Sequence, residues 1–101
     1  MRTIHKQVLG VVSFQAIEVP VDFKILLLAM QNDVPTLWYE CTAGNPETRE
    51  IEILCFGTGH ELPDYATPDG AIEHIGSVVT SDGFYVWHYY RKIKIEKIKT
   101  E

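Results

Sequence analysis

At 101 residues the chain has room for one hydrophobic core and not for two. Its 46% hydrophobic and 23% charged residues exclude a disordered or fibrous polypeptide. A net charge of −5 denies it the general basic field that DNA or RNA binding needs, although Arg91, Lys92, Lys94, Lys97 and Lys99 gather into a local basic stretch. Met1 to Lys6 lacks the apolar segment of a secretory leader, and the longest apolar run, Ile25 to Met30, falls far short of the ~20 residues that span a bilayer. These features predict a soluble protein of the cytoplasm, with Cys41 and Cys55 as reduced thiols on separate strands. No Cys-x-x-Cys or His-x-x-x-His spacing is present, so neither a metal nor a cofactor is expected.

The chain reads as strand after strand. Residues 2–9 are extended, and Phe14 to Val19 gives a second strand that stops at Pro20. Lys24 to Gln31 is a nearly continuous apolar run, which predicts a central strand covered on both faces. Asn32-Asp33 is a turn signal, because both residue types tolerate left-handed backbone, and Val34 to Thr42 returns as the partner strand. Alternation along that strand places Leu37, Tyr39 and Cys41 on one face and Thr36, Trp38, Glu40 and Thr42 on the other.

Ala43 to Thr48 is a loop, and residues 49–56 form a strand that runs into Phe56-Gly57-Thr58-Gly59-His60-Glu61-Leu62-Pro63. An irregular stretch follows to Gly70, long enough to suggest a functional loop. Ala71 to Thr80 and Phe84 to Arg91 flank the turn Ser81-Asp82-Gly83. No segment carries a capped helical stripe. The expected fold is therefore all-β: a small antiparallel sandwich or barrel of about six to seven strands, one domain over residues 1–91, with 92–101 as a lysine-rich strand extension or tail.

Three blocks carry a family resemblance: Gln31 to Trp38, Phe56 to Pro63, and Phe84-Tyr85-Val86-Trp87-His88-Tyr89-Tyr90. In these the chain resembles a family of small phage-associated proteins, catalogued as a domain of unknown function, over roughly residues 5–90. The resemblance implies a small accessory gene of a phage or prophage and transfers no catalytic residues. By analogy of context it points to antagonism of host antiviral defence in the bacterial cytoplasm.

Gly57, Thr58, Gly59 and His60 supply two pliable amides, a hydroxyl and an imidazole, a set suited to a phosphate or carboxylate, without the lysine of a Walker loop. Trp38 and Trp87 are candidate platforms for a base, and Arg91 is a candidate counter-charge. Ser13, Ser77 and Ser81 lack a nucleophile-elbow context, so no catalytic residue is assigned. The expected function is a non-enzymatic binding protein, acting as a homo-oligomer, that sequesters a small anionic, nucleotide-like signal through Thr58, Gly59, His60, Trp38, Trp87 and Arg91. The alternatives are an inhibitor of a host immune protein that docks through an acidic surface, and a minor virion component.

Overall fold

A computed structural model describes residues 1–62 and 72–93, and these form seven strands and no helix. The strands are β1 (Arg2–Val8), β2 (Phe14–Pro20), β3 (Lys24–Gln31), β4 (Val34–Thr42), β5 (Thr48–Gly57), β6 (Ile72–Val79) and β7 (Val86–Lys92). One sheet has the order β1-β4-β3 and the other β2-β5-β7-β6, with every neighbouring pair antiparallel. The sheets are not closed into a barrel, so the architecture is a sandwich. Residues 63–71, which include most of the expected functional loop, and 94–101, most of the lysine-rich tail, lie outside the described residues.

Strand β4 follows its sequence alternation. Leu37, Tyr39 and Cys41 are buried, and Trp38, Glu40 and Thr42 are only partly covered, but Thr36, expected with them, is buried too. Ile17 and Val19 from β2, Ile51, Ile53 and Cys55 from β5, and Tyr89 from β7 meet them across the gap. Cys41 and Cys55 are free, buried thiols on different sheets.

Strand β3 departs from the expected central position. It is the edge of the three-stranded sheet, and a bulge between Ile25 and Leu27 shifts its register against β4. Leu28 turns into the core, but Leu26 and Leu27 are left 45% and 53% exposed. A continuous apolar run therefore marks a bulged edge strand here, with apolar side chains on both faces.

Asn32 and Asp33 join β3 to β4 with φ angles of 50° and 63°, the type I′ pattern that matches strand twist. Glycine adopts the second of these positions at less steric cost than aspartate. Asp33→Gly is expected to stabilise the fold by roughly 0.5–1 kcal/mol, read as a higher midpoint in chemical denaturation; a lower midpoint contradicts the turn assignment.

Asp22, just before β3, ties three segments together. Its Oδ2 accepts from Arg2 Nη1 at 2.6 Å and from the Thr42 amide at 2.9 Å, and also from the Thr42 hydroxyl, while Oδ1 accepts from Asn45 Nδ2 at 3.0 Å. The hydrogen bonds from Thr42 and Asn45 hold its carboxyl down to about 2 from 3.8. Because the folded value is depressed, the contribution of the carboxylate is complete above the unfolded value and is lost as pH falls through about 2. The difference in Tm between wild type and Asp22→Ala is expected to be largest near neutral pH and to shrink in strong acid. A difference that does not change with pH overturns this assignment.

Candidate functional site

Strand β5 ends at Gly57, and the chain turns back on itself at once. The Thr58 amide donates to the Val86 carbonyl at 3.3 Å and the His60 amide to the Gly57 carbonyl at 3.1 Å. Gly59 sits at φ +91°, a conformation that side chains rarely adopt. The Gly57 amide also donates to His60 Nδ1 at 3.0 Å. A backbone N–H can only donate, so Nδ1 is the lone-pair nitrogen and the proton of the neutral ring rests on Nε2. His60 thus presents a donor. A Cβ at Gly57 would lie 3.0 Å from His60 Cε1 and 3.1 Å from Trp87 Cζ3, so any other residue there forces these rings to shift.

The turn divides two hollows. One, of about 190 Å³, is lined by Gly57, Thr58, His60, Phe84, Tyr85 and Trp87. Tyr85 and Trp87 are two residues apart, and their rings stack with centroids 5.9 Å apart and planes 14° from parallel. Phe84 is 82% exposed at the hairpin tip, where Asp82 Oδ1 accepts from the Phe84 amide at 2.9 Å. The second hollow, of about 230 Å³, includes Phe56, Leu62, His88 and Tyr90 on the other side of the turn.

On that side the outer face of the four-stranded sheet carries a hydrogen-bonded row. Thr58 Oγ1 lies 2.9 Å from His88 Nε2, His88 Nδ1 lies 2.6 Å from Ser77 Oγ, and Ser77 Oγ lies 3.0 Å from His74 Nε2. Two structural details create it. Cross-strand pairing sets Ser77 opposite His88, and a bulge between His74 and Gly76 brings His74 and Ser77, three residues apart, within hydrogen-bond distance. Tyr90 packs edge-on against His74 at 5.1 Å and Phe56 at 5.7 Å. The row is not visible in the sequence, because spacing alone reveals neither the β6–β7 register nor the bulge.

The expected ligand set is only partly assembled. Thr58, Gly59, His60 and Trp87 meet around the turn. Trp38 belongs to the other sheet, where it pairs with Lys6 and Leu27 on the face opposite to buried Leu37 and Tyr39. Arg91 is four residues beyond Trp87 on β7, roughly 13 Å along an extended strand. Its guanidinium lies 5.5 Å from the Phe23 ring and its Nε pairs with Glu73 Oε2 at 3.2 Å. Arg49 approaches the same ring at 5.1 Å, and a hollow of about 300 Å³ there is lined by Phe23, Lys24, Ile25, Glu73 and Arg91. Cationic and aromatic elements thus meet around Phe23, away from the turn.

Burial pushes the Cys55 thiol up, which disfavours the nucleophilic thiolate. Among the described residues no group of three or more His, Cys, Asp or Glu side chains converges as a metal site, and no helix is long and apolar enough to cross a membrane.

Comparison with curated proteins and with solved structures finds no match. A family model described as a domain of unknown function, DUF7352, matches residues 1–99, and the chain belongs to that family.

Proposed function

We propose that this protein binds a small anionic, ring-bearing molecule of nucleotide type at the Gly57–His60 turn. The observation that carries this reading is the proton-bearing Nε2 of His60, fixed by the Gly57 amide, beside the Thr58 hydroxyl and the stacked Tyr85–Trp87 pair. Donors suit a phosphate or carboxylate, and flat rings suit a base. Phe84 and Tyr85, 82% and 59% exposed, enlarge the available aromatic surface. A second copy of the chain laid against these rings would deepen a shallow hollow, which supports a homo-oligomer. In the phage setting that the family resemblance implies, such binding withdraws a defence signal from the host cytoplasm.

Calorimetric titration with a panel of cyclic and linear nucleotides tests the reading. Binding by at least one member is expected, and His60→Ala should weaken it roughly ten- to hundredfold, the worth of one hydrogen bond to a charged group. Absence of heat with every member rules the reading out.

A protein-docking role is favoured by a separate observation. Glu18 and Glu50 stand directly opposite each other in the β2–β5 ladder, a like-charge pair that costs stability and concentrates negative charge on an edge strand. Glu18→Lys turns the like pair into an opposite one and is expected to raise stability by about 0.2–1 kcal/mol while weakening any salt-sensitive capture of a basic partner. Unchanged capture by this variant removes the docking reading.

A further inference from the structure

We infer that the outer face of the four-stranded sheet holds a nucleophilic centre, with Ser77 as nucleophile and His88 as its general base, acting on small uncharged carboxylic esters. This goes beyond ligand binding at the turn: the two share Thr58 and the larger hollow, but Ser77 and His74 line neither hollow, and His60 takes no part in the chemistry.

Ser77 Oγ is 2.6 Å from His88 Nδ1, inside the range for direct proton transfer. For Nδ1 to accept, the proton of the neutral ring must sit on Nε2, where Thr58 Oγ1 at 2.9 Å receives it. Thr58 is therefore the positioning residue, held on its turn between Gly57 and Gly59. A nucleophile touching a base that is itself oriented by a third group is the arrangement shared by hydroxyl-nucleophile enzymes. His74 Nε2, 3.0 Å from the same serine oxygen, adds a second imidazole on the opposite side. With its proton on Nε2 it can donate to an oxyanion forming beside Ser77. Ser77, His74 and Thr58 are all exposed, so a substrate can reach them.

The neighbouring hollow of about 230 Å³ defines the substrate class. Its lining combines the apolar groups of Phe56, Leu62 and Tyr90 with His88 and the turn, and among the described residues no lysine, arginine or carboxylate lines it. Such a wall accepts an uncharged acyl or aryl group.

In the first step the Ser77 hydroxyl proton passes to His88 Nδ1 as Oγ bonds to the ester carbonyl carbon. The carbon–oxygen bond to the alcohol then breaks, and the alcohol leaves with the proton from Nδ1. Water attacks the resulting acyl-serine and gives its proton to His88 Nδ1. Release of the carboxylic acid returns that proton to Ser77 Oγ, and the cycle closes with no oxidant or reductant. Because the orienting group is a hydroxyl and not a carboxylate, the imidazolium gains less support, and slow turnover is expected.

The test uses the full chain and a fluorophosphonate probe, with the adduct located by peptide mass spectrometry and p-nitrophenyl acetate hydrolysis followed in parallel. One adduct on Ser77 is expected. Ser77→Ala and His88→Asn should abolish both labelling and hydrolysis. Thr58→Val should slow labelling about tenfold and Thr58→Ser should restore it, a pattern that a purely structural role for Thr58 does not produce. Circular dichroism confirms that each variant is folded; should His88→Asn not fold, the Thr58 pair decides. No adduct on Ser77 of the folded wild type overturns the proposal, as does labelling that proceeds at an undiminished rate in folded His88→Asn.

Discussion

Replacing Tyr89 by alanine is expected to cost about 3–5 kcal/mol, a large share of the roughly 5–15 kcal/mol that holds a domain of this kind together. Tyr89 lies on β7 between β5 and β6 in the larger sheet and is fully buried. Its ring fills the space between the sheets, and its hydroxyl donates to the Gly10 carbonyl at 3.0 Å, fastening the β1–β2 connection to the core. Burial pushes the phenol well above its ordinary range, so it remains a neutral donor at any pH the fold experiences. Tyr89→Phe keeps the ring and gives up only the hydrogen bond, for a cost of about 1 kcal/mol. Chemical denaturation of the two variants separates the contributions of volume and hydroxyl. Equal destabilisation by both would place the stabilisation in the hydroxyl and overturn the packing argument.

The second large effect is expected at Gly76, where β6 of one sheet meets β3 of the other. A Cβ there would sit 3.1 Å from both Cβ and Cδ2 of Leu28, which is itself buried on β3. Backbone and core side chain meet with no spare space. Gly76→Val drives a branched side chain into Leu28, and overpacking of this kind costs about 1–3 kcal/mol. The steric origin can be checked by removing the obstacle. Leu28→Ala destabilises the wild type through its cavity, yet in the Gly76→Val background it should destabilise much less, because the new methyls occupy the vacated volume. Strictly additive effects would exclude a direct clash.

Much of the fold is legible in the sequence because period-two patterning and turn chemistry are local. Leu37, Tyr39 and Cys41 turn inward as their alternation indicates, and Asn32-Asp33 adopts the left-handed pair its residue types permit. Strand β3 misleads because an apolar run does not reveal whether its second face meets another layer or solvent. The candidate site is legible in part for the same reason. Gly57 to His60 is one contiguous segment, so its glycines and histidine announce themselves. The row from Thr58 to His74 draws on three separate stretches of chain and depends on a bulge that moves Ser77 into line. Trp38 and Arg91 fail as members of the turn site because composition does not say which sheet, or which end of a strand, a residue occupies.

The two-residue connection between β3 and β4 also bears on the order in which the molecule assembles. Gln31 and Val34 pair across that connection with almost no chain to close, and the β6–β7 hairpin closes nearly as locally. Strand β2, by contrast, meets β5 only by bringing Pro20 to Thr48 and Phe14 to Leu54, which encloses the whole β3–β4 hairpin. Loop-closure entropy therefore favours the two hairpins as early structure and leaves the β2–β5 pairing to follow. Changes at Asn32 or Asp33 should then act chiefly on the refolding rate, while truncations at Ile17 or Val19 should act chiefly on the unfolding rate. The Gly57–His60 turn has local hydrogen bonds of its own, and the bond from the Thr58 amide to the Val86 carbonyl fastens it to β7 once that hairpin has docked.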